Sequence, residues 1–158
     1  MSLSRLQQRV PGALALGCHV LPKHQLRFHK AGQDGSGKCD AFYTGNAADV
    51  IYGALFEICE AQKHALDSAE GLGRGYDVKD VTVIAGDGLT IACYTYVATK
   101  IEPALTPYSW YLDHVLIGAR ETGLPAKYIE TQIQTVQARK DSDHRRDEEE
   151  RAVHVKLS

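Results

Sequence analysis

Tyr76-Asp77-Val78-Lys79-Asp80-Val81-Thr82-Val83-Ile84-Ala85-Gly86-Asp87-Gly88-Leu89-Thr90-Ile91-Ala92-Cys93-Tyr94-Thr95-Tyr96-Val97-Ala98 decides what kind of fold this chain adopts. Two arms rich in β-branched and aromatic residues flank Gly86-Asp87-Gly88, and Asp-Gly supplies the positive φ that a tight reversal demands. The pattern predicts a hairpin of strands over 76–85 and 89–98. Upstream, 13–21 is an apolar run ended by Pro22, 25–29 alternates, and 41–43 and 50–58 complete the strands. The last carries Val50, Tyr52, Ala54, Phe56 and Ile58 at period 2, which favours a strand over a helix.

Helical signals bracket these strands. Ser2 is placed to cap a short amphipathic helix over 3–10 that stops at Pro11-Gly12. A second helical pattern runs over 60–69 and breaks where glycines stand at 71, 73 and 75, because three glycines in five residues are costly to keep helical. Beyond the proline-bounded loop 101–107, helices are expected over 108–121 and 126–139. Strands grouped in the first two thirds, interrupted by one helix and closed by helices, argue for an α+β fold with a mostly antiparallel or mixed sheet.

A chain of 158 residues suits one domain, expected over 1–140, followed by a charged tail over 141–158. Within the tail, 141–151 is almost wholly charged and reads as a solvated helix extension or a disordered segment. A formal charge of -2 offers no electrostatic footprint for nucleic acid or an anionic membrane. No apolar run approaches the roughly 20 residues of a membrane span, and no leader pattern opens the chain, so a cytoplasmic protein is expected. The four cysteines, Cys18, Cys39, Cys59 and Cys93, form no Cys-x-x-Cys pair and read as buried free thiols. The histidines are scattered without ligand spacing, and no metal is expected.

Several motifs compete for a function. Gly32-Gln33-Asp34-Gly35-Ser36-Gly37-Lys38-Cys39 approaches a phosphate-binding loop but has Cys39 where a hydroxyl should meet magnesium. The aromatic, glycine-broken segment 40–46 is no helix start, so a loop between strands is expected. Asp113-His114 are adjacent on a helix and point apart, and no Gly-x-Ser-x-Gly elbow accompanies them. The Trp110 and His114 stripe reads as packing of a helix on a sheet. Glu70, at the end of a helix beside a glycine-rich turn, reads on spacing alone as a surface charge before it reads as a base. Tyrosines at 76, 94, 96, 108 and 111 could surround it, and a carboxylate among apolar groups gains the raised pKa that proton shuttling needs.

Leu66-Asp67-Ser68-Ala69-Glu70-Gly71-Leu72-Gly73-Arg74-Gly75-Tyr76 resembles the active-site segment of the gamma-glutamylcyclotransferase family. The likeness extends to about Tyr128 through Tyr52-Gly53-Ala54-Leu55-Phe56, Ala92-Cys93-Tyr94-Thr95-Tyr96 and Gly118-Ala119-Arg120-Glu121-Thr122-Gly123-Leu124-Pro125, in the family's order and spacing. The resemblance implies a small mixed, β-barrel-like sheet flanked by helices. It also implies a cofactor-free enzyme whose small-molecule gamma-glutamyl amide cyclises to 5-oxoproline. By the same resemblance Glu70 is the catalytic acid and base, and Tyr76, Tyr96 and Tyr111 contact substrate.

Family members open with a hydrophobic strand ending in Tyr-Gly-Ser-Asn, whose backbone N–H groups bind the glutamyl moiety. Met1-Ser2-Leu3-Ser4-Arg5-Leu6 resembles the residues just after that loop, so a chain lacking the strand and loop is expected, shortened or read from a downstream start. The alternative is a non-catalytic ligand-binding or interaction protein of the same fold, with an exposed strand edge available to pair as a homodimer.

Overall fold

The computed structural model describes residues 2–154. Helix α1 (Leu3–Arg9) is capped by the Ser2 hydroxyl, which accepts the Arg5 N–H, and it ends ahead of Pro11. Four strands come next: β1 (Leu14–Pro22), β2 (His24–Ala31), β3 (Gly37–Tyr43) and β4 (Val50–Glu57). A 3-10 turn (Glu60–Gln62) leads into α2 (Lys63–Glu70), which Gly71 terminates in the left-handed region at φ 72°. The Gly71 and Leu72 N–H groups then bond the carbonyls of Ser68 and Asp67.

The predicted hairpin forms as β5 (Tyr76–Ile84) and β6 (Thr90–Ala98), in unbroken antiparallel register from Tyr76↔Ala98 to Ile84↔Thr90. Its reversal uses Gly88 at φ 87°, with the Gly88 N–H bonded to the Ala85 carbonyl. Helix α3 (Ser109–Glu121) and a single turn α4 (Ala126–Tyr128) complete the expected set.

The sheet order is β4-β1-β5-β6, every ladder antiparallel, and β2–β3 stand apart as a two-stranded hairpin. The α+β class is as expected, but the sheet is not closed into a barrel and no ladder between the described strands is parallel. Two local features mark the open sheet. Strand β1 meets β5 through the single pair Val20↔Ile84. At the far side the Ala98 N–H goes to the Asp40 carboxylate at 2.8 Å, so a β3 side chain takes the donor that a continuous ladder would give to a carbonyl.

Two apolar clusters hold the layers. Leu6, Val10, Ala13 and Leu66 join α1 to α2 against Phe56, Ile58 and Tyr96. Leu112, Ala119, Ile129 and Ile133 join α3 to the segment after it, against Leu26 and Phe28 of β2.

One expectation changes, and in the tail the helical one of two alternatives is the one found. The helix expected over 126–139 is only α4 continued by a wider π turn at Ile129–Ile133. The Thr131 and Thr135 hydroxyls donate to the carbonyls of Lys127 and Thr131, a side-chain competition that bends helices. The charged tail carries helix α5 (His144–Ala152), capped by Asp143, while 155–158 lie outside the described residues. Among the described residues no helix is long and apolar enough to cross a membrane.

Candidate active site

Helix α2 delivers Glu70 at its last position, where Gly71 turns the chain away and leaves the carboxylate facing inward. The side chain is only 15% exposed and lines a cavity of about 630 Å³. Arg9, at the last residue of α1, holds Glu70 Oε1 at 2.5 Å. Among the described residues Oε2 accepts no hydrogen bond.

The cavity runs along one face of α3. Tyr111, His114, Val115, Gly118, Ala119 and Thr122 line it at helical spacing. Consecutive residues of the two end strands, 51–57 of β4 with Ile58 after it and 92–96 of β6, also line it. Alternate residues of a strand point to opposite faces, so a consecutive run means that the strands present their free sides as well as side chains.

All three tyrosines named beside Glu70 border this cavity. The Tyr76 hydroxyl donates to the Cys39 carbonyl at 2.6 Å, and burial pushes its pKa well above the ordinary range. The Tyr111 hydroxyl oxygen accepts the Cys39 N–H at 3.0 Å, and burial raises its pKa well above the ordinary range too. Tyr96 donates to Asp67 Oδ1 at 2.6 Å, its pKa raised first by burial and then by that carboxylate. All three therefore remain protonated at neutral pH. Tyr76 and Tyr96 have their protons committed to protein oxygens, and the Tyr111 hydroxyl meets Cys39 twice, its oxygen at the backbone N–H and its O–H beside the thiol.

Asp67 lies one turn before Glu70 and is held below the ordinary carboxylate range, first by the Lys63 ammonium at 2.9 Å and then by Tyr96. It fixes α2 to β6 directly beneath the candidate base. Asp40 also borders the cavity, bonded to His29 Nε2 at 2.8 Å as well as to the Ala98 N–H. Arg5 and His114 meet at Glu150 of α5, at 2.6 and 2.9 Å. The Tyr108 hydroxyl donates to the Asp34 carbonyl at 3.2 Å, away from the cavity.

The glycine-rich loop at 32–39 builds no anion cradle. Asp34 accepts from the Ser36 N–H, the Ser36 hydroxyl and the Lys38 ammonium, so the lysine is neutralised at 2.7 Å. The loop runs into strand β3 instead of a helix. Among the described residues no three His, Cys, Asp or Glu side chains come close enough to hold a metal ion. The four cysteines are unpaired, with Cys59 exposed and the others half-buried, so the burial expected for Cys59 is not met.

Two of the site's polar residues had different visibility in the sequence. Asp67 stands three residues before Glu70 on the same helix, a signal that helical spacing offers. Arg9 is 61 residues away, and nothing local points to it.

Known proteins share both the sequence and the shape of this site's surroundings. A model of the AIG2-like family matches residues 50–131, just over half of the chain. A human protein named gamma-glutamylcyclotransferase is 34% identical over 83 residues, covering 52% of this chain and 44% of that protein. The bovine protein of the same name is 32% identical over 132 residues, covering 78% of this chain and 68% of that one. The chain thus spans less than half the length of the human relative it matches. Among solved structures, a gamma-glutamyl cyclotransferase superposes with a TM-score of 0.81 at 24% identity, covering 89% of this chain and 85% of that one, a likeness of fold. A human protein described as uncharacterized gives 0.79 at 26% identity, covering 88% and 83%.

Proposed function

The chain belongs to the AIG2-like family, to which the gamma-glutamylcyclotransferases it resembles are akin, and from that premise we propose that it cleaves a small gamma-glutamyl amide, releasing an amine and 5-oxoproline. The substrate's own α-amine attacks its γ-carbonyl carbon, a C–N bond forms to close the ring, and the bond to the leaving nitrogen breaks. Glu70 takes the proton from the attacking nitrogen and returns it to the leaving one. Atoms balance with no cofactor and no water consumed.

The observation that carries this reading is the Glu70 carboxylate itself, 15% exposed on a cavity of about 630 Å³, with one oxygen held by Arg9 and the other without a partner among the described residues. Such a group is oriented and still able to exchange a proton. Confining amine and carbonyl in one cavity supplies the larger part of the acceleration, since well-oriented intramolecular attack reaches effective molarities of roughly 10⁵–10⁸ M. Tyr111, whose O–H is engaged by no carboxylate or carbonyl among the described residues, is the tyrosine we assign to meet the carbonyl oxygen as charge develops there. Tyr76 and Tyr96 shape the cavity and hold β3 and α2 in register around it.

The test is release of 5-oxoproline from gamma-glutamyl dipeptides and gamma-glutamyl amides, monitored by mass spectrometry. Glu70→Gln is expected to lose about 10²–10⁴-fold in kcat while melting at the wild-type temperature. Equal turnover by the Gln variant removes Glu70 from the chemistry.

A further inference from the structure

The cavity is longer than a glutamyl group needs, and its two ends differ in chemistry. From Tyr111 to Thr122 the lining face of α3 covers about 16 Å of helix axis, at roughly 1.5 Å per residue. A gamma-glutamyl moiety is comparable to two residues of extended chain, about 7 Å. With the glutamyl part at Glu70, about 9 Å of cavity remains for whatever the reaction releases.

The polar end is identified by its bonds: Tyr111 and Tyr76 both bind Cys39, and Asp40 binds Ala98, the cross-strand partner of Tyr76. Beyond it the wall is apolar. Val115, Leu124 and Ile133 continue the cluster packed between α3 and β2, and Ile51, Ala54 and Leu55 of β4 border the same space. Gly118 and Ala119 keep the helix surface low along this stretch, which gives the hollow its width.

The charges bordering the cavity are as informative as the apolar wall. Among the described residues Arg5 is the one Lys or Arg that lines it, and it is bonded to Glu150 at 2.6 Å. Asp40, Glu57 and Glu70 also border it, so the lining carries more negative than positive charge. A leaving group with a free carboxylate would enter without a cation to meet it and would lose hydration unrepaid. A leaving group with a second ammonium would place that charge against the apolar wall, since Asp40 is already met by His29 and Ala98 and Glu57 stands at the exposed end of β4.

We propose that this cavity selects gamma-glutamyl amides whose leaving amine carries a long, uncharged, apolar substituent, aliphatic or aromatic, lying along α3 toward Leu124 and Ile133. This rests on the reading of Glu70 given above and deepens it, because it names the released half of the substrate.

A matched series tests it. Gamma-glutamyl-phenylalanine and gamma-glutamyl-phenylalanine amide differ only in the terminal charge, gamma-glutamyl methylamide lacks the long substituent, and gamma-glutamyl-lysine amide carries a cation at the far end. Binding is measured by calorimetry to Glu70→Gln, so that nothing is consumed, and turnover is measured on the wild type. The phenylalanine amide is expected to bind at least tenfold more tightly than each of the other three. Ala54→Arg, which places a cation on the apolar stretch, is expected to reduce the preference for the amide over the acid by tenfold or more. Equal or tighter binding of the acid, the methylamide or the lysine compound overturns the inference, as does an unchanged preference in Ala54→Arg. These outcomes are separate from failure of the proposed reaction, which shows as no 5-oxoproline from any compound while the binding order still reads.

Discussion

At the scale of single residues, the site depends on groups that hold other groups. Asp67 is the clearest case, since it anchors α2 through Lys63 and Tyr96 one turn from Glu70. Its folded carboxyl titrates below the ordinary 3.8, so its stabilising effect is in force above that value and is lost as pH falls through the lower folded one. Acidification below about pH 4 is therefore expected to lower the melting temperature and to speed amide exchange in α2. Asp67→Asn is expected to melt lower at neutral pH and to show a flatter acid profile; a wild-type acid slope retained in the variant contradicts the assignment. Glu70 was legible in the sequence because a helix signal and three glycines fix it at a helix end, and the family resemblance gave that position a role. The Arg9 that grips it was not, because a contact between helices separated by four strands leaves no local pattern.

Among the elements, those with short-range causes were readable. The β5–β6 hairpin is declared by period 2 and by Asp87-Gly88, and it forms without a register shift. The π turn at Ile129–Ile133 was hidden, because its cause is a hydroxyl competing for backbone carbonyls and leaves the apolar spacing intact. The β2–β3 hairpin depends on a close approach that sequence cannot display. A Cβ at Gly37 would collide with the Phe28 carbonyl oxygen, in the backbone of the paired strand. Gly37→Ala is expected to separate the strands there and to cost about 2–3 kcal/mol in urea unfolding. A variant as stable as the wild type would show that the pair is not held at that distance.

For the molecule as a whole, α5 is the element whose attachment is chemically distinct. It buries no residue, and polar contacts bind it to the rest: ion pairs from Glu150 to Arg5 and from Arg151 to Asp113, and a hydrogen bond between Glu150 and His114. The Glu150 carboxyl sits below its ordinary range, chiefly through His114, while burial lowers the pKa of His114 itself. Sequence composition showed only charges in this region, since their partners lie on α1 and α3. Glu150→Gln is expected to raise amide exchange across 144–152 while leaving the β5–β6 amides protected, and wild type in 1 M salt is expected to move in the same direction, because screening there acts over about 3 Å. Exchange confined to the wild-type rate in both conditions would mean that the helix is held by something other than these pairs.

An open sheet ordinarily advertises its outermost backbone to neighbours, and many proteins guard against that with lysine, proline or a bulge. Here both terminal strands border the same hollow. A strand added along 51–57 or 92–96 would have to enter that hollow, so those stretches are less available to a neighbour than the edge of a flat sheet.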